Sequence, residues 1–170
     1  YRSEIMMKKV PYTEEEMKHW LGKMNRYTEK EGRITEYPKR GDVWTMDFGL
    51  TVGSEIHRVR PVVIISSSIV NEKNSTVLIA PITTRSESMF DSTLDFHMEL
   101  NDEYFEWGSE KVRGIIKTEA VTTLSKGRIG KRIARLNGNG IDKLTQLVGK
   151  SLHVPEPISP EEEAEKRDLK

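Results

Sequence analysis

Two apolar runs, separated by one short polar segment, leave this chain few ways to fold. Pro61 to Ile65 is continuously apolar and largely β-branched, and Thr76 to Ile82 is nearly so. Runs this short and without a polar face fit central strands buried on both sides of a sheet. Asn71 to Ser75, rich in Asn and Ser, predicts a turn between them. Just before the first run lies Gly53-Ser54-Glu55-Ile56-His57-Arg58-Val59-Arg60-Pro61, a polar loop that ends in an arginine pinned against a proline. A polar loop held between two rigid strands is a common place for catalytic or binding groups.

The remaining elements arrange themselves around that pair. Thr13 followed by Glu16 has the spacing of a capping box, and Met17, Trp20, Leu21, Met24 and Tyr27 recur at helical spacing. This predicts an amphipathic helix whose stripe needs a partner surface. Val43 to Phe48 alternates, with Trp44, Met46 and Phe48 facing one way and Val43, Thr45 and Asp47 the other, as in a half-buried strand. Asp42 is read as fastening the preceding turn. Thr84 to Ser92 is polar and without period, and predicts a second loop. Thr93 to Leu100, Ile115 to Lys117, Val121 to Leu124 and Gly130 to Leu136 read as strands. Asn137-Gly138-Asn139-Gly140 is a turn signal, and Ile141, Leu144, Leu147, Val148 and Leu152 predict a helix after it. Ser159-Pro160 before three glutamates resembles a helix start in an acidic tail.

At 170 residues the chain suits one core with extensions. Its 27 basic and 27 acidic side chains cancel, so no global field draws in nucleic acid or a membrane. Cysteine is absent, which excludes disulfide and thiolate chemistry and agrees with a reducing cytoplasm. The chain opens on Tyr1 without a charged-then-apolar leader, so a trimmed N-terminus and no secretion are expected. No apolar run approaches the roughly 20 residues of a membrane span. His19, His57, His97 and His153 lack metal-ligand spacing, so no metal site and no cofactor are expected.

Charge is nevertheless segregated. Ser86 to Glu110 holds eight acidic residues and no Lys or Arg, whereas Lys111 to Arg135 holds eight basic residues and the single acid Glu119. Two readings are open: opposite charges pairing across neighbouring strands, or a basic strip that binds phosphates.

Four short motifs then fall in order: Lys39-Arg40-Gly41-Asp42-Val43-Trp44, Gly53-Ser54-Glu55, Arg60-Pro61 opening a strand, and Ala80-Pro81-Ile82-Thr83 closing the next. Together with Ile115 to Glu119, Lys126 to Ile129 and the Ile141 to Leu152 helix, they resemble the MazF/PemK toxins over about Tyr37 to Val154. The resemblance implies an α+β, mainly β fold: a small SH3-like, PemK-type barrel of mostly antiparallel strands with a C-terminal helix. The N-terminal amphipathic helix is additional. The expected division is an extension over 1–37, the toxin domain over 38–154 and an acidic tail over 155–170.

The resemblance further implies a homodimeric, metal-independent endoribonuclease that cuts single-stranded RNA at short sequences, and a cognate antitoxin with an acidic flexible segment. By similarity Arg60 and Thr83 are the catalytic pair, and Ser54 stands beside the scissile phosphate. Such cleavage needs charge stabilisation on phosphate oxygens and two proton transfers. Arg60 suits the first task, but a guanidinium is a poor base near neutral pH. His57 and Glu55 are therefore candidate acid–base groups. His57-Arg58 also stands where the family commonly has glycines. Arg58, Arg85, Lys126, Arg128, Lys131 and Arg132 are the expected RNA contacts. After Glu119 the family often has Gln-Ile-Arg, whereas this chain has Ala120-Val121-Thr122, so a different base preference is expected. The competing readings are a non-catalytic gyrase poison like CcdB and a catalytically silent RNA-binding module. A fold-back of the acidic tail onto the basic strip is a further expectation.

Overall fold

A computed structural model describes residues 11–53, 55–83 and 96–154. In chain order the elements are α1 (Glu14–Glu31), β1 (Asp42–Asp47), β2 (Val59–Ile64), α2 (Ser68–Lys73), β3 (Thr76–Thr83), β4 (Met98–Glu99), β5 (Phe105–Trp107), β6 (Ile115–Ile116), β7 (Thr122–Ser125), β8 (Ile129–Leu136) and α3 (Gly138–Ser151). The strands form one curled, half-barrel sheet in the order β4-β6-β3-β2-β1-β8-β5, with antiparallel pairing throughout. Strand β3 is long enough to serve two partners on its far edge, β7 along Thr76–Ile79 and β6 at Ile82–Thr83.

The two apolar runs become the neighbouring strands β2 and β3, and both of their faces are covered. Val63, Ala80 and Ile82 join Val43, Ile116, Leu136, Leu144 and Leu147 in the core beneath α3. Val62, Ile64, Val77 and Ile79 join Trp44, Met46 and Ile129 in a second core on the other face. Each fully buried Val or Ile contributes roughly 1.5–3 kcal/mol over its exposed state, so this strand pair anchors both cores.

Strand β1 departs from the alternation read in its sequence. Val43 is fully buried, and so, to within a few per cent, are Asp42 and Asp47. No solvated face remains, because α3 covers one side of the strand and each carboxylate has cationic partners. Asp42 accepts from the Lys39 amide at 2.9 Å, which fastens the turn as expected, and from Arg135 at 2.6 Å, with Arg132 at 3.4 Å.

The Asn137–Gly140 signal also resolves differently. Asn137 is the N-cap of α3 and its side chain accepts from the Gly140 amide at 2.9 Å, so the glycines form the first helical turn. A Cβ at Gly140 would lie 2.5 Å from the Tyr104 carbonyl oxygen, and that close approach explains a glycine where a helix former is expected. The Asn71–Ser75 segment is the end of the short helix α2 and its exit, not a bare turn. Ser67 caps this helix, and the Asn71 amide side chain is buried against the Pro38 carbonyl at 2.8 Å.

Among the described residues, the opposite-charge reading holds between β5 and β8. Strand β5 pairs with β8, and Glu106 meets Arg135 at 2.9 Å. Arg132 and Lys111 lie over the Trp107 ring at 5.0 and 5.9 Å.

Candidate functional site

The Gly53–Pro61 loop closes on itself before it reaches β2. The Phe48 amide donates to the Arg58 carbonyl at 2.9 Å and the Arg58 amide to the Gly49 carbonyl at 3.0 Å, so residues 49–58 are pinched at their base. Inside the pinch, the Glu55 carboxylate accepts from the Val52 amide at 3.0 Å and the Thr51 hydroxyl donates to the Glu55 carbonyl at 3.3 Å. The chain turns through left-handed conformations at Gly49, Gly53 and Arg58. At Arg58, φ is +63°, a region costly for a residue with a Cβ and natural for the glycines of the resemblance.

Arg60 and Thr83 lie just beyond the end of the β2–β3 ladder. Val62 stands opposite Pro81 and Val63 opposite Ala80. Continuing that register by two residues sets Arg60 opposite Thr83, where directly paired side chains share a face with Cβ atoms roughly 4.5–5.5 Å apart. Met46 stands opposite Arg60 on the other side. The pair therefore lies on the Trp44–Met46 face, at the end where Phe48 and Leu124 border the core. Arg60 Nε donates to the His57 carbonyl at 3.4 Å, which links the guanidinium to the loop. Thr83 Oγ1 is buried without a hydrogen-bond partner among the described residues. Leaving a buried hydroxyl unpaired costs about 1–3 kcal/mol, so this one is open to a partner from outside the described residues.

Phe48 and Leu124 line a cleft of about 480 Å³ together with Thr51, Glu55, Ile56, Lys117, Ala120, Thr122 and Arg128. Lys117 is a residue that the sequence reading did not single out, although it lies in the basic stretch and follows the β6 isoleucines. Glu119 holds it at 3.1 Å and also meets His97 Nε2 at 2.9 Å. Burial raises the Glu119 pKa, but its backbone hydrogen bond and those from His97 and Lys117 outweigh it and leave the carboxyl below its ordinary value. Ala120 and Thr122, the departures from Gln-Ile-Arg, both line the cleft.

The expected RNA contacts divide. Arg128 lines the cleft, but its Nη1 donates to the Asp47 and Phe48 carbonyls at 3.0 and 3.1 Å, and its guanidinium lies 5.2 Å from the centre of the Trp20 ring. Lys126 must be withdrawn as a phosphate contact. Its residue is 4% exposed, and its ammonium donates to the Asn71 carbonyl at 2.7 Å and lies 4.5 Å from the Tyr37 ring centre. Lys126→Ala is expected to cost about 2 kcal/mol in denaturant unfolding by stranding a buried carbonyl, while leaving the salt slope of RNA binding unchanged. Lys131 and Arg132, on β8, do not line the cleft. His57 and Arg58 line a different hollow of about 730 Å³, against Tyr12, Glu16 and Met17. Ser54, Arg85 and the acidic tail lie outside the described residues. Among the described residues, no group of three or more His, Cys, Asp or Glu side chains could hold a metal ion.

Residues 39–152 match the model of the PemK-like, MazF-like toxins of type II toxin-antitoxin systems. The chain belongs to this family. Endoribonuclease EndoA of Bacillus subtilis is 32% identical over 114 residues, 67% of this chain and 93% of its own length. Endoribonuclease MazF of Staphylococcus saprophyticus is 29% identical over 67% of this chain and 90% of its own length. The half-barrel also resembles MazF from Deinococcus radiodurans, with a TM-score of 0.56 and 18% identity over 69% of this chain and 98% of the other. A mycobacterial endoribonuclease in complex with its cognate antitoxin has the same fold, at a TM-score of 0.55 and 18% identity, covering 72% of this toxin chain and 100% of its own. Helix α1 precedes the matched residues. No helix among the described residues is long and apolar enough to cross a membrane.

Proposed function

We propose that this toxin is a sequence-specific endoribonuclease that cuts single-stranded mRNA without a metal ion and so stops translation. What supports the reading is the β2–β3 register, whose continuation by two residues pairs Arg60 with Thr83, together with a cleft lined by Lys117 and Arg128. In the reaction, the ribose 2′-hydroxyl attacks the adjacent phosphorus and the 5′-oxygen leaves, giving a cyclic phosphate. The Arg60 guanidinium grips the non-bridging oxygens as charge builds on them, in the forked geometry that arginine offers and lysine lacks. The Thr83 hydroxyl adds a neutral donor, and Glu55, which lines the cleft, is the candidate for proton transfer, whereas His57 lines the other hollow. Lys117 and Arg128 bind backbone phosphates, which sets position without reading sequence. Ala120 and Thr122 shape the wall against which a base rests, and there the base preference departs from that of the relatives.

The same cations suit an acidic antitoxin segment lying in the cleft. The reading takes the toxin as a cytoplasmic homodimer held inactive by that cognate partner. A gyrase poison has no use for a phosphate-stabilising pair at this place. Incubating the purified chain with RNA, with and without EDTA, tests the proposal. Cleavage at a short motif in both reactions, mapped from the product ends, is expected; intact RNA alongside inhibited gyrase overturns the reading.

A further inference from the structure

The N-terminal extension does more than cover apolar surface. Tyr12 precedes α1 and lies outside the residues shared with the family, yet its hydroxyl makes two hydrogen bonds to one residue of the loop. It donates to the Thr51 carbonyl at 3.0 Å and accepts from the Thr51 amide at 3.2 Å. Both backbone groups of Thr51 are thereby fixed, as a strand partner would fix them. The Thr51 hydroxyl in turn holds the Glu55 carbonyl at 3.3 Å, and two residues on, the His57 carbonyl accepts from Arg60 Nε. One turn into α1 and beyond, the Trp20 ring packs so closely on Gly49 that a Cβ there would lie 2.1 Å from it. A loop with three left-handed residues does not hold this shape by its own preferences, so its surroundings must fix it.

We propose that Tyr12 is a positioning residue for the reaction, which fixes the 49–58 loop through Thr51 and so aims Arg60 at the phosphate. The proposal rests on the nuclease reading above. Tyr12 touches no reacting atom; it acts through Thr51, Glu55 and the His57 carbonyl. Misplacing a charge-stabilising group by a fraction of an ångström lowers turnover more than binding, because the backbone phosphates are still held by the cleft cations.

Tyr12→Phe in the full chain removes the hydroxyl and keeps the ring. Its kcat on a short RNA is expected to fall about tenfold with KM within about twofold of wild type. Amide hydrogen exchange is expected to quicken at Thr51, Val52, Glu55 and Arg58 while β2 and β3 stay protected. Thr28→Ala, on α1 away from the loop, serves as the control and is expected to match wild type in both. A wild-type kcat, or faster exchange spread evenly over the sheet, overturns the proposal. If the wild-type chain leaves RNA intact, the nuclease reading falls. The exchange at Thr51 to Arg58 then decides separately whether Tyr12 orders the loop, and unchanged exchange refutes it.

Discussion

Arg60→Ala is expected to lower kcat/KM for single-stranded RNA by about a thousandfold, roughly 4 kcal/mol of lost transition-state stabilisation. The size follows from where the charge appears. In the ground state the phosphodiester carries one negative charge, shared and solvated. In the transition state a second develops on the same oxygens, and a guanidinium already in place stabilises it without reorganising. Met46 pairs with Arg60 on one side, and on the other side of the strand Val62 and Val63 pair with Pro81 and Ala80. Arg60→Lys restores the charge but not the fork, so it is expected to recover only part of the loss. Because Val59–Ile64 pairs through its backbone, both variants are expected to unfold at the wild-type denaturant midpoint. Full cleavage by Arg60→Ala would remove the arginine from the chemistry.

Asp47→Ala is expected to destabilise the chain by about 3 kcal/mol in denaturant unfolding, with the loss concentrated in the docking of α1. The Asp47 carboxylate is 5% exposed and gathers three donors: the Tyr27 hydroxyl at 2.7 Å, Lys23 at 3.1 Å and the Gly49 amide at 2.9 Å. Two of these are on the face of α1 and the third opens the site loop. Burial raises the Asp47 pKa, but the hydrogen bonds from Tyr27, Lys23 and Gly49 outweigh it and hold the carboxyl below its ordinary value of 3.8. Burial and the Asp47 carboxylate push the Tyr27 phenol up from 10.0 to about 12. The Asp47 contribution is therefore present above pH 3.8 and lost as pH falls through its lower folded value. The Tyr27 contribution is complete below pH 10.0 and lost as pH rises through about 12. Stability measured across pH is expected to fall at both limits in the wild type, and Asp47→Ala is expected to remove the acid fall and to reduce the alkaline one, where burial of Tyr27 still raises its pKa. An Asp47→Ala curve that keeps both limbs at full size would mean that other groups set them.

What was legible in the residues follows a physical division. The β-branched runs of β2 and β3 declare themselves because no polar face has to be placed. Helix α1 is announced by a local device, since Thr13 and Glu16 complete a capping box with each other at 2.8 Å and 3.2 Å. Periodicity gave its existence but not its contact face. Trp20 and Tyr27 meet the sheet, whereas Met17, Leu21 and Met24 remain 47, 60 and 42% exposed. The helix docks by polar and stacking contacts that no hydropathy pattern encodes, among them Lys30 on the Ile129 carbonyl and Ser125 on Glu31. Strand β5 was missed because three residues joined by acidic neighbours show no period, and its place depends on Arg135 in a strand far along the chain.

The site divides in the same way. Arg60 and Thr83 were named from motifs, and the loop that leads into Arg60 from its run of polar residues. That Lys117 enters the cleft while Lys126 goes inward could not be read from composition, since both are lysines of one basic stretch. Local sequence alone determined the long strands and helices, though not β5 or α2, because side-chain branching, capping and turn residues act on neighbours within a few positions. Only the tertiary structure decided which of these polar groups face one another. The register of β2 against β3, continued past Val62 and Pro81, pairs Arg60 with Thr83, and the N-terminal extension puts Tyr12 on Thr51. Both depend on contacts between residues distant in the chain, whose free energy is realised only when the whole sheet has closed.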